Sequence, residues 1–143
     1  MKSSGFTLIE LLVTIAVMSI IATIAVPGFQ GMMARNQLAG DYNVVLSGLN
    51  QARSEAIKRR EEVRFQVAAS APWSYRVRLA DDSVISIRSG RGQVSVTETE
   101  ITFDQLGRRE DCDPTCTISV DRTGAGRLEL QVSTTGRIGK PTS

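Results

Sequence analysis

One uninterrupted apolar run near the N-terminus, residues 6–26, restricts the fold of this chain more than any other feature. It reads FTLIELLVTIAVMSIIATIAV and contains one charged residue, Glu10. As an α-helix the run would be about 31 Å long, which is close to the hydrocarbon thickness of a bilayer. Its serine and threonine residues do not oppose this, because a helical hydroxyl can donate a hydrogen bond to a carbonyl one turn earlier. We therefore expect a membrane-spanning helix.

Glu10 is out of place in such a helix. A carboxylate at mid-membrane costs on the order of 2.5–3.5 kcal/mol on insertion scales, so an acid in a membrane span indicates a functional site by default. Glu10 lies near the end of the run, which lowers this cost. The alternative is that its side chain simply reaches the membrane interface.

The residues before the run, MKSSG, form a short segment that is basic at Lys2 and ends in Gly5. A secretory signal peptide would instead be cleaved after the apolar run, and Ala22 and Ala25 could supply that site. The helical pattern continues beyond Pro27 without a change in composition, which argues against removal of the run.

The segment GFTLIELLV, residues 5–13, resembles the class III signal of type IV prepilins and type II secretion pseudopilins. The resemblance implies that a prepilin peptidase cleaves between Gly5 and Phe6, that Phe6 is then N-methylated, and that residues 1–5 are the leader. It also implies that Glu10 pairs with the free N-terminal amine of a neighbouring subunit. The apolar helix would stay in the mature protein as a transmembrane and assembly helix over residues 6–27.

A kink or a weak point in the helix is expected at Pro27 and Gly28. Proline removes one backbone hydrogen bond and clashes with the carbonyl four residues earlier, and glycine adds conformational freedom. A kink at the membrane surface and a functional hinge both fit, and the family resemblance favours local melting during assembly. Residues 28–62 are predicted to be an amphipathic helix whose apolar stripe docks on the head. The stripe comprises Leu38, Tyr42, Val45, Leu49, Ala52 and Ala56.

The rest of the chain is predicted to be a β-rich globular head, residues 63–136. Apolar and polar residues alternate with period 2 in several short runs, which is typical of an antiparallel sheet with one solvated face. Glycine and aspartate pairs separate the runs. The fold class is therefore α+β, with one long helix covering the apolar face of a sheet of six or seven strands. The resemblance makes this the type IV pilin fold.

Composition excludes several functions. The chain has no histidine, so the commonest general base and the commonest zinc ligand are missing. No paired carboxylates, nucleophile–base constellation or phosphate-binding loop stands out, so we expect neither an enzyme nor a bound cofactor or metal. The two cysteines, Cys112 and Cys116, flank Pro114 and favour a disulfide if the head lies in an oxidising compartment, with two free thiols as the alternative.

Further blocks are similar to the FimT/FimU minor pilins and their GspH pseudopilin relatives. These blocks are residues 34–38, 51–59, 101–108 and 133–138. The resemblance implies a minor pilin that initiates or caps a type IV pilus near its tip, with other minor and major pilins, a prepilin peptidase and the inner membrane as partners. The head would be periplasmic before assembly. A minor pseudopilin of a type II secretion system is the alternative.

The C-terminal residues 137–143 are predicted to be a mobile basic tail. Some FimT-like pilins bind DNA through a C-terminal Gly-Arg-x-Arg pattern. This chain reads GRIGK from Gly136, so Gly139 replaces the second arginine and Lys140 follows it. A cationic tail of this kind could bind double-stranded DNA through its phosphates without sequence preference. The candidate residues are Arg137, Lys140, Arg127, Arg108 and Arg109.

Overall fold

The computed structural model describes residues 6–141, in which one helix is followed by nine strands. The elements are α1 (Leu8–Arg59), β1 (Val63–Ala68), β2 (Ser74–Leu79), β3 (Val84–Ser89), β4 (Ser95–Val96), β5 (Thr99–Phe103), β6 (Arg109–Asp113), β7 (Thr117–Arg122), β8 (Gly126–Val132) and β9 (Ile138–Gly139). The chain divides into two compact units, one ending at Met33 and the other beginning at Ala34.

Helix α1 has a definite signal at each end. Thr7 precedes it, and its hydroxyl accepts a hydrogen bond from the backbone N–H of Glu10 at 3.4 Å, as in an N-cap. At the other end Arg60 has a φ of 58°, and the N–H of Glu61 bonds to the carbonyl of Ala56. This closing turn matches the left-handed cap that ends many helices. The single long helix predicted from the sequence is confirmed.

The head, which begins at Ala34, has one hydrophobic core. The core contains most of the predicted helical stripe, the inner face of the larger sheet, and alternate residues of β7 and β8. Tyr42 is only partly buried, whereas Asp41 and Gly48 are buried with the stripe. Gly48 is required there because a Cβ would lie 2.6 Å from the ring of Tyr75.

The strands form two antiparallel sheets, and not the single sheet of six or seven strands that the sequence predicted. The larger has the order β3-β2-β1-β5-β6 and the smaller the order β4-β7-β8-β9. Period-2 alternation identifies strands but not their partners, so it gave no reason to divide them. Two strands were not predicted. β6 reads REDCD, without alternation, and β9 has only two residues.

The prediction of a mobile C-terminal tail needs correction. Ile138 and Gly139 pair with Val132 and Gln131 of β8. The backbone of Ser133 and Arg137 also closes a turn, with Ser133 N–H bonded to the Arg137 carbonyl at 2.9 Å. Backbone pairing therefore fixes the start of the segment through Gly139.

Candidate assembly and binding sites

The N-terminal part of α1 has the length and apolar character needed to cross a membrane. Phe6, just before the helix, is 92% exposed, and the large apolar side chains of the helix are exposed from Leu8 through Phe29. The hydroxyl of Ser19 donates to the carbonyl of Ile15 at 2.7 Å, and Thr14 and Thr23 make similar bonds. The backbone bonding expected of the helix hydroxyls is thus confirmed. Gly5 and the rest of the leader lie outside the described residues.

Glu10 is part of a capping box at the start of α1. Its Oε2 accepts hydrogen bonds from the Thr7 backbone N–H at 2.9 Å and from the Thr7 hydroxyl at 2.8 Å. Thr7-Leu8-Ile9-Glu10 is the sequence pattern of this motif, in which the first and fourth residues satisfy each other's backbone N–H groups. Sequence analysis missed it, although the signal was present. Glu10 therefore has a local partner in a single chain.

Helix α1 continues through Pro27 and Gly28. A Cβ added at Gly28 or Gly31 would meet no atom within 4 Å. Nothing within the described chain therefore requires glycine at either position.

Three of the sequence blocks that carry the pilin resemblance meet at Gly107. Arg53 of α1 donates from Nε to the Gly107 carbonyl at 3.0 Å, and Ile57 packs against the same glycine. Gly136 approaches from the C-terminal turn, where a Cβ would lie 1.9 Å from the Gly107 carbonyl oxygen. Both glycines have positive φ, 71° at Gly107 and 78° at Gly136. The helix, the β5–β6 loop and the C-terminal turn are thereby held together.

Asp104 fixes the loop that carries Gly107. Its Oδ1 accepts the backbone N–H groups of Leu106 and Arg108 at 2.9 and 2.7 Å, and its Oδ2 accepts Arg108 Nε at 2.9 Å. Partial desolvation of the carboxylate raises its pKa, but the hydrogen bonds from Leu106 and Arg108 and the positive charge of Arg108 lower it by more. The pKa of Asp104 is therefore lowered from its usual value.

The four arginines among the five predicted DNA-binding residues lie in two places. Arg108, Arg109 and Arg137 lie around the junction at Gly107, since the Arg108 Cα is 3.2 Å from a Cβ built on Gly136. Arg109 donates from Nη1 to the Val132 carbonyl at 3.0 Å, so its guanidinium helps to hold β8. Arg127 is at the far end of β8, where Nε pairs with Asp121 at 2.7 Å.

Only some of these cations are available to a ligand. The Arg108 side chain is 60% exposed but paired with Asp104. Arg137 and Lys140 are exposed, and neither forms an ion pair within the described residues. These two are the best placed to meet an anion.

The predicted disulfide is present between Cys112 and Cys116, with Cα atoms 5.3 Å apart. The loop between them is fastened to β5 by the Thr99 hydroxyl, which bonds to the carbonyls of Asp113 and Thr115. Over residues 6–141 no group of three or more acidic or cysteine side chains could hold a metal ion.

A buried polar contact in the head escaped sequence analysis. Trp73 Nε1 donates to Asp41 Oδ2 at 3.0 Å, and both residues are buried. Gly90 covers the indole so closely that a Cβ would lie 1.9 Å from Nε1. The one sequence signal for this contact was an acidic residue, Asp41, beside the apolar stripe of α1.

Comparison with known protein families shows which family this chain belongs to. Residues 1–26 match the prokaryotic N-terminal methylation motif, and residues 42–136 match the family described as type II transport protein GspH. The chain belongs to the GspH family. The family and fold are those of structural pilin subunits and not of known enzymes, and the chain is of the FimT/FimU/GspH kind of minor pilin.

Fimbrial proteins are among the relatives of this chain. Two fimbrial proteins of Pseudomonas aeruginosa are each 33% identical over 98 residues, which is 67% of this GspH-family chain and 60% of the relative. The chain thus spans about 60% of the length of these relatives. The fimbrial protein EcpC of Eikenella corrodens is 48% identical over 40 residues, 28% of this chain and 26% of that protein.

The fold is that of the type IV minor pilin FimU of Pseudomonas aeruginosa. One crystal form gives a TM-score of 0.61 at 23% identity, covering 76% of this chain and 90% of FimU. A second crystal form gives 0.55 at 23% identity, with coverage of 70% and 89%. The predicted pilin fold, a long helix packed on an antiparallel sheet, is confirmed.

Proposed function

We propose that this protein is a minor pilin or pseudopilin, a structural subunit that initiates or caps a type IV pilus. One observation carries the proposal. From Leu8 the methylation motif, residues 1–26, lies on helix α1, which continues without interruption into the region of the GspH family, residues 42–136. A secretory signal peptide would be removed from its domain, whereas here the apolar segment belongs to the same helix that contributes Leu38 and Leu49 to the head core.

Processing follows from the same sequence. A prepilin peptidase cuts between Gly5 and Phe6, and the new N-terminal Phe6 is methylated. The subunit then waits in the inner membrane as a single-pass protein with a periplasmic head. The disulfide of Cys112 and Cys116 suits that oxidising compartment.

Glu10 has a second role during assembly in this proposal. The carboxylate pairs with the N-terminal amine of a neighbouring subunit, because two charges at one depth in a helix bundle offset each other and a single one would be left uncompensated. In the free subunit, Thr7 supplies the hydrogen bonds at 2.8 and 2.9 Å. The carboxylate can thus exchange a local partner for an intermolecular one.

In this proposal, helix α1 melts locally at Pro27 and Gly28 during assembly. Proline cannot donate a backbone hydrogen bond. Glycine adds conformational freedom, and even an added Cβ at Gly28 or Gly31 would meet no atom within 4 Å. Local melting of this segment would let the helix extend as subunits pack into a filament.

Complementation tests the structural role. The gene is deleted in its own bacterium and restored on a plasmid, and pili, twitching and protein secretion are scored. Loss of pili or twitching supports a type IV pilus, and loss of secretion alone supports the pseudopilus of a type II secretion system. Normal pili and normal secretion in the deletion strain would contradict both.

A second activity, binding of double-stranded DNA, is supported by Arg137 and Lys140. Both are exposed without an ion pair in the described chain, and Arg108 approaches Gly136, the residue before Arg137, at the Gly107 junction. Lysine lacks the forked geometry with which arginine holds a phosphate, so Arg137 carries the stronger contact. The test is fluorescence anisotropy of labelled duplex DNA with the detergent-solubilised full chain at several salt concentrations. Salt-sensitive binding supports the activity, and no binding at low salt contradicts it.

A further inference from the structure

The larger sheet has one face turned to solvent. Along β1, β2 and β5, buried residues alternate with residues that are partly or fully exposed. The buried ones belong to the head core, so the others point away from it. We call this solvent side of the five-stranded sheet the outer face. On β1 its residues are Arg64, Gln66 and Ala68.

The outer face carries unpaired charges of opposite sign on its two sides. On the side of β2 and β3, Asp82 is already paired with Arg64 and Arg78, at 3.8 and 3.5 Å. Arg76 is exposed and forms no ion pair within residues 6–141. On the side of β5 and β6, the acids without an ion pair in the described chain are Glu98, Glu100, Asp111 and Asp113.

The strand register places Arg76 and Glu100 symmetrically about β1. Gln66 of β1 pairs with Arg76 of β2 on one side and with Glu100 of β5 on the other. Each of these two charges is therefore one strand, about 4.8 Å, away from β1 at the same level along the strands. A two-fold axis along β1 would exchange the basic and acidic sides of the sheet without any shift along the strands.

We propose that the outer face packs against the outer face of a second copy of this chain, about a two-fold axis parallel to β1. Arg76 of each copy then faces Glu100 of the other, and Gln66 faces its own counterpart. The contact is isologous, because the same face of both copies takes part. The two sheets would be stacked about 10 Å apart with their strands aligned, as in a β-sandwich.

This axis leaves the two heads in the same orientation. β2 runs along the head part of α1, since Trp73 bonds to Asp41 and Tyr75 lies against Gly48, about two helical turns further on. A two-fold axis along the strands therefore keeps both helices pointing the same way, with Ala34 on the same side of the dimer in each copy. Two copies anchored in one membrane can form the contact before assembly. The inference thus rests on the membrane anchoring of the proposed function and not on filament formation.

Like charges at the axis are compensated within each chain. Arg64 would face its own counterpart, but its guanidinium pairs with Glu62 of the same chain, Nε to Oε1 at 3.0 Å. The other outward residues of β1, Gln66 and Ala68, are uncharged. The charged groups left without an internal partner are thus those that meet an opposite charge across the contact.

Cross-linking at the axis tests the contact. Ala68 is exposed on β1, and the native cysteines are bonded to each other, so Ala68→Cys has one free thiol. The full chain is produced in the membrane of a host without pilus assembly proteins and treated with a short bifunctional maleimide. We expect about tenfold more covalent dimer than from Ser54→Cys, because the axis holds the Ala68→Cys thiols at high effective concentration. Ser54 is the matched control, exposed on α1, while Ala52 and Ala56 face the core.

Charge exchange separates this contact from association through the apolar helices. Added to Ala68→Cys, either Arg76→Glu or Glu100→Arg sets like charges opposite each other and should lower the covalent dimer about tenfold. The two substitutions together reverse both charges and should restore the dimer to about half of its original amount or more. Circular dichroism checks that each variant is folded.

Four results would each overturn the proposal. These are no covalent dimer from Ala68→Cys, an equal amount from Ser54→Cys, a dimer that neither single charge substitution lowers, and a double variant as weak as the single ones. All are measured without pili, so they do not depend on whether the subunit enters a filament.

Discussion

Gly136 and Gly107 touch so closely that a Cβ on Gly136 would lie 1.9 Å from the Gly107 carbonyl oxygen. The two residues are in different segments of the chain, and Arg53 of α1 bonds to the same carbonyl at 3.0 Å. This contact joins the C-terminal turn to the helix and places Arg137 on the surface beside Arg108. A methyl group added at Gly136 should therefore lower the stability of the whole head.

Gly136→Ala is expected to destabilise the protein by about 2–4 kcal/mol, because it adds both an unfavourable φ and a backbone clash. Gly124→Ala is the matched control. Gly124 also has a positive φ, 80°, but nothing lies within 4 Å of its added Cβ. It should cost only about 1 kcal/mol. Urea unfolding in detergent measures both, and equal losses would contradict the close contact.

The Trp73–Asp41 hydrogen bond is expected to behave as a coupled pair. Asp41→Ala leaves the buried indole N–H without an acceptor and should cost about 1–3 kcal/mol, whereas Asp41→Asn keeps an acceptor and should cost less. In a double-mutant cycle, Asp41→Ala should have a smaller effect when Trp73 is already Phe. Additive losses would show that the two side chains do not interact.

Asp104 is expected to make the unfolding free energy of the head depend on pH in the acid range. The pKa of the Asp104 carboxyl is lower in the folded protein than in the unfolded chain, so its stabilisation is fully present above the unfolded pKa and is lost as pH falls through the folded pKa. Asp104→Asn cannot titrate. The difference in unfolding free energy between wild type and Asp104→Asn should therefore shrink as pH falls below about 4. Unfolding curves from pH 2 to pH 6 measure it, and a constant difference would contradict the assignment.

Arg137→Ala should weaken DNA binding and reduce the slope of log K against log salt by about 1, as expected when one phosphate contact is lost. Arg127→Ala is the control, because that guanidinium is held by Asp121 at the far end of β8. It should change the slope less. Equal effects of the two substitutions would indicate a diffuse charge effect and not a site at the C-terminal turn.

Two substitutions separate the role of Glu10 in capping helix α1 from its proposed role in filament assembly. Glu10→Gln keeps an oxygen to accept the hydrogen bonds from Thr7 but carries no charge, so the helix should start normally while incorporation into pili falls at least tenfold. Thr7→Ala removes the hydroxyl cap and keeps the charge, so incorporation should be nearly normal. Immunoblots of sheared pili measure both. Normal incorporation of Glu10→Gln would contradict a role for the charge.

The sequence predicted the parts of the fold whose signal is local. The alternation of Val63, Phe65 and Val67 identified β1, and the helical stripe identified the docked face of α1. β6 was missed because an exposed edge strand needs no apolar face, and REDCD has none. The meeting of Gly107 with Gly136, and of Asp41 with Trp73, depends on contacts between segments distant in sequence, which periodicity cannot report.

The site residues followed the same division. Phe6 and Glu10 were predicted as site residues from a contiguous motif, and these roles remain predictions. The capping box of Thr7 and Glu10 was overlooked because the acid was interpreted only as an anomaly in a membrane span. Among the basic candidates, only the structure separates Arg137 and Lys140, which are unpaired within residues 6–141, from Arg108, Arg109 and Arg127, which have internal partners.

The most direct test of the pilin assignment is the N-terminus of the mature protein. The full chain is produced in a host with a prepilin peptidase, and intact mass and peptide sequencing identify its first residue. The account predicts a start at methylated Phe6 with the apolar helix retained. A start after Ala25, or an intact Met1, would contradict it.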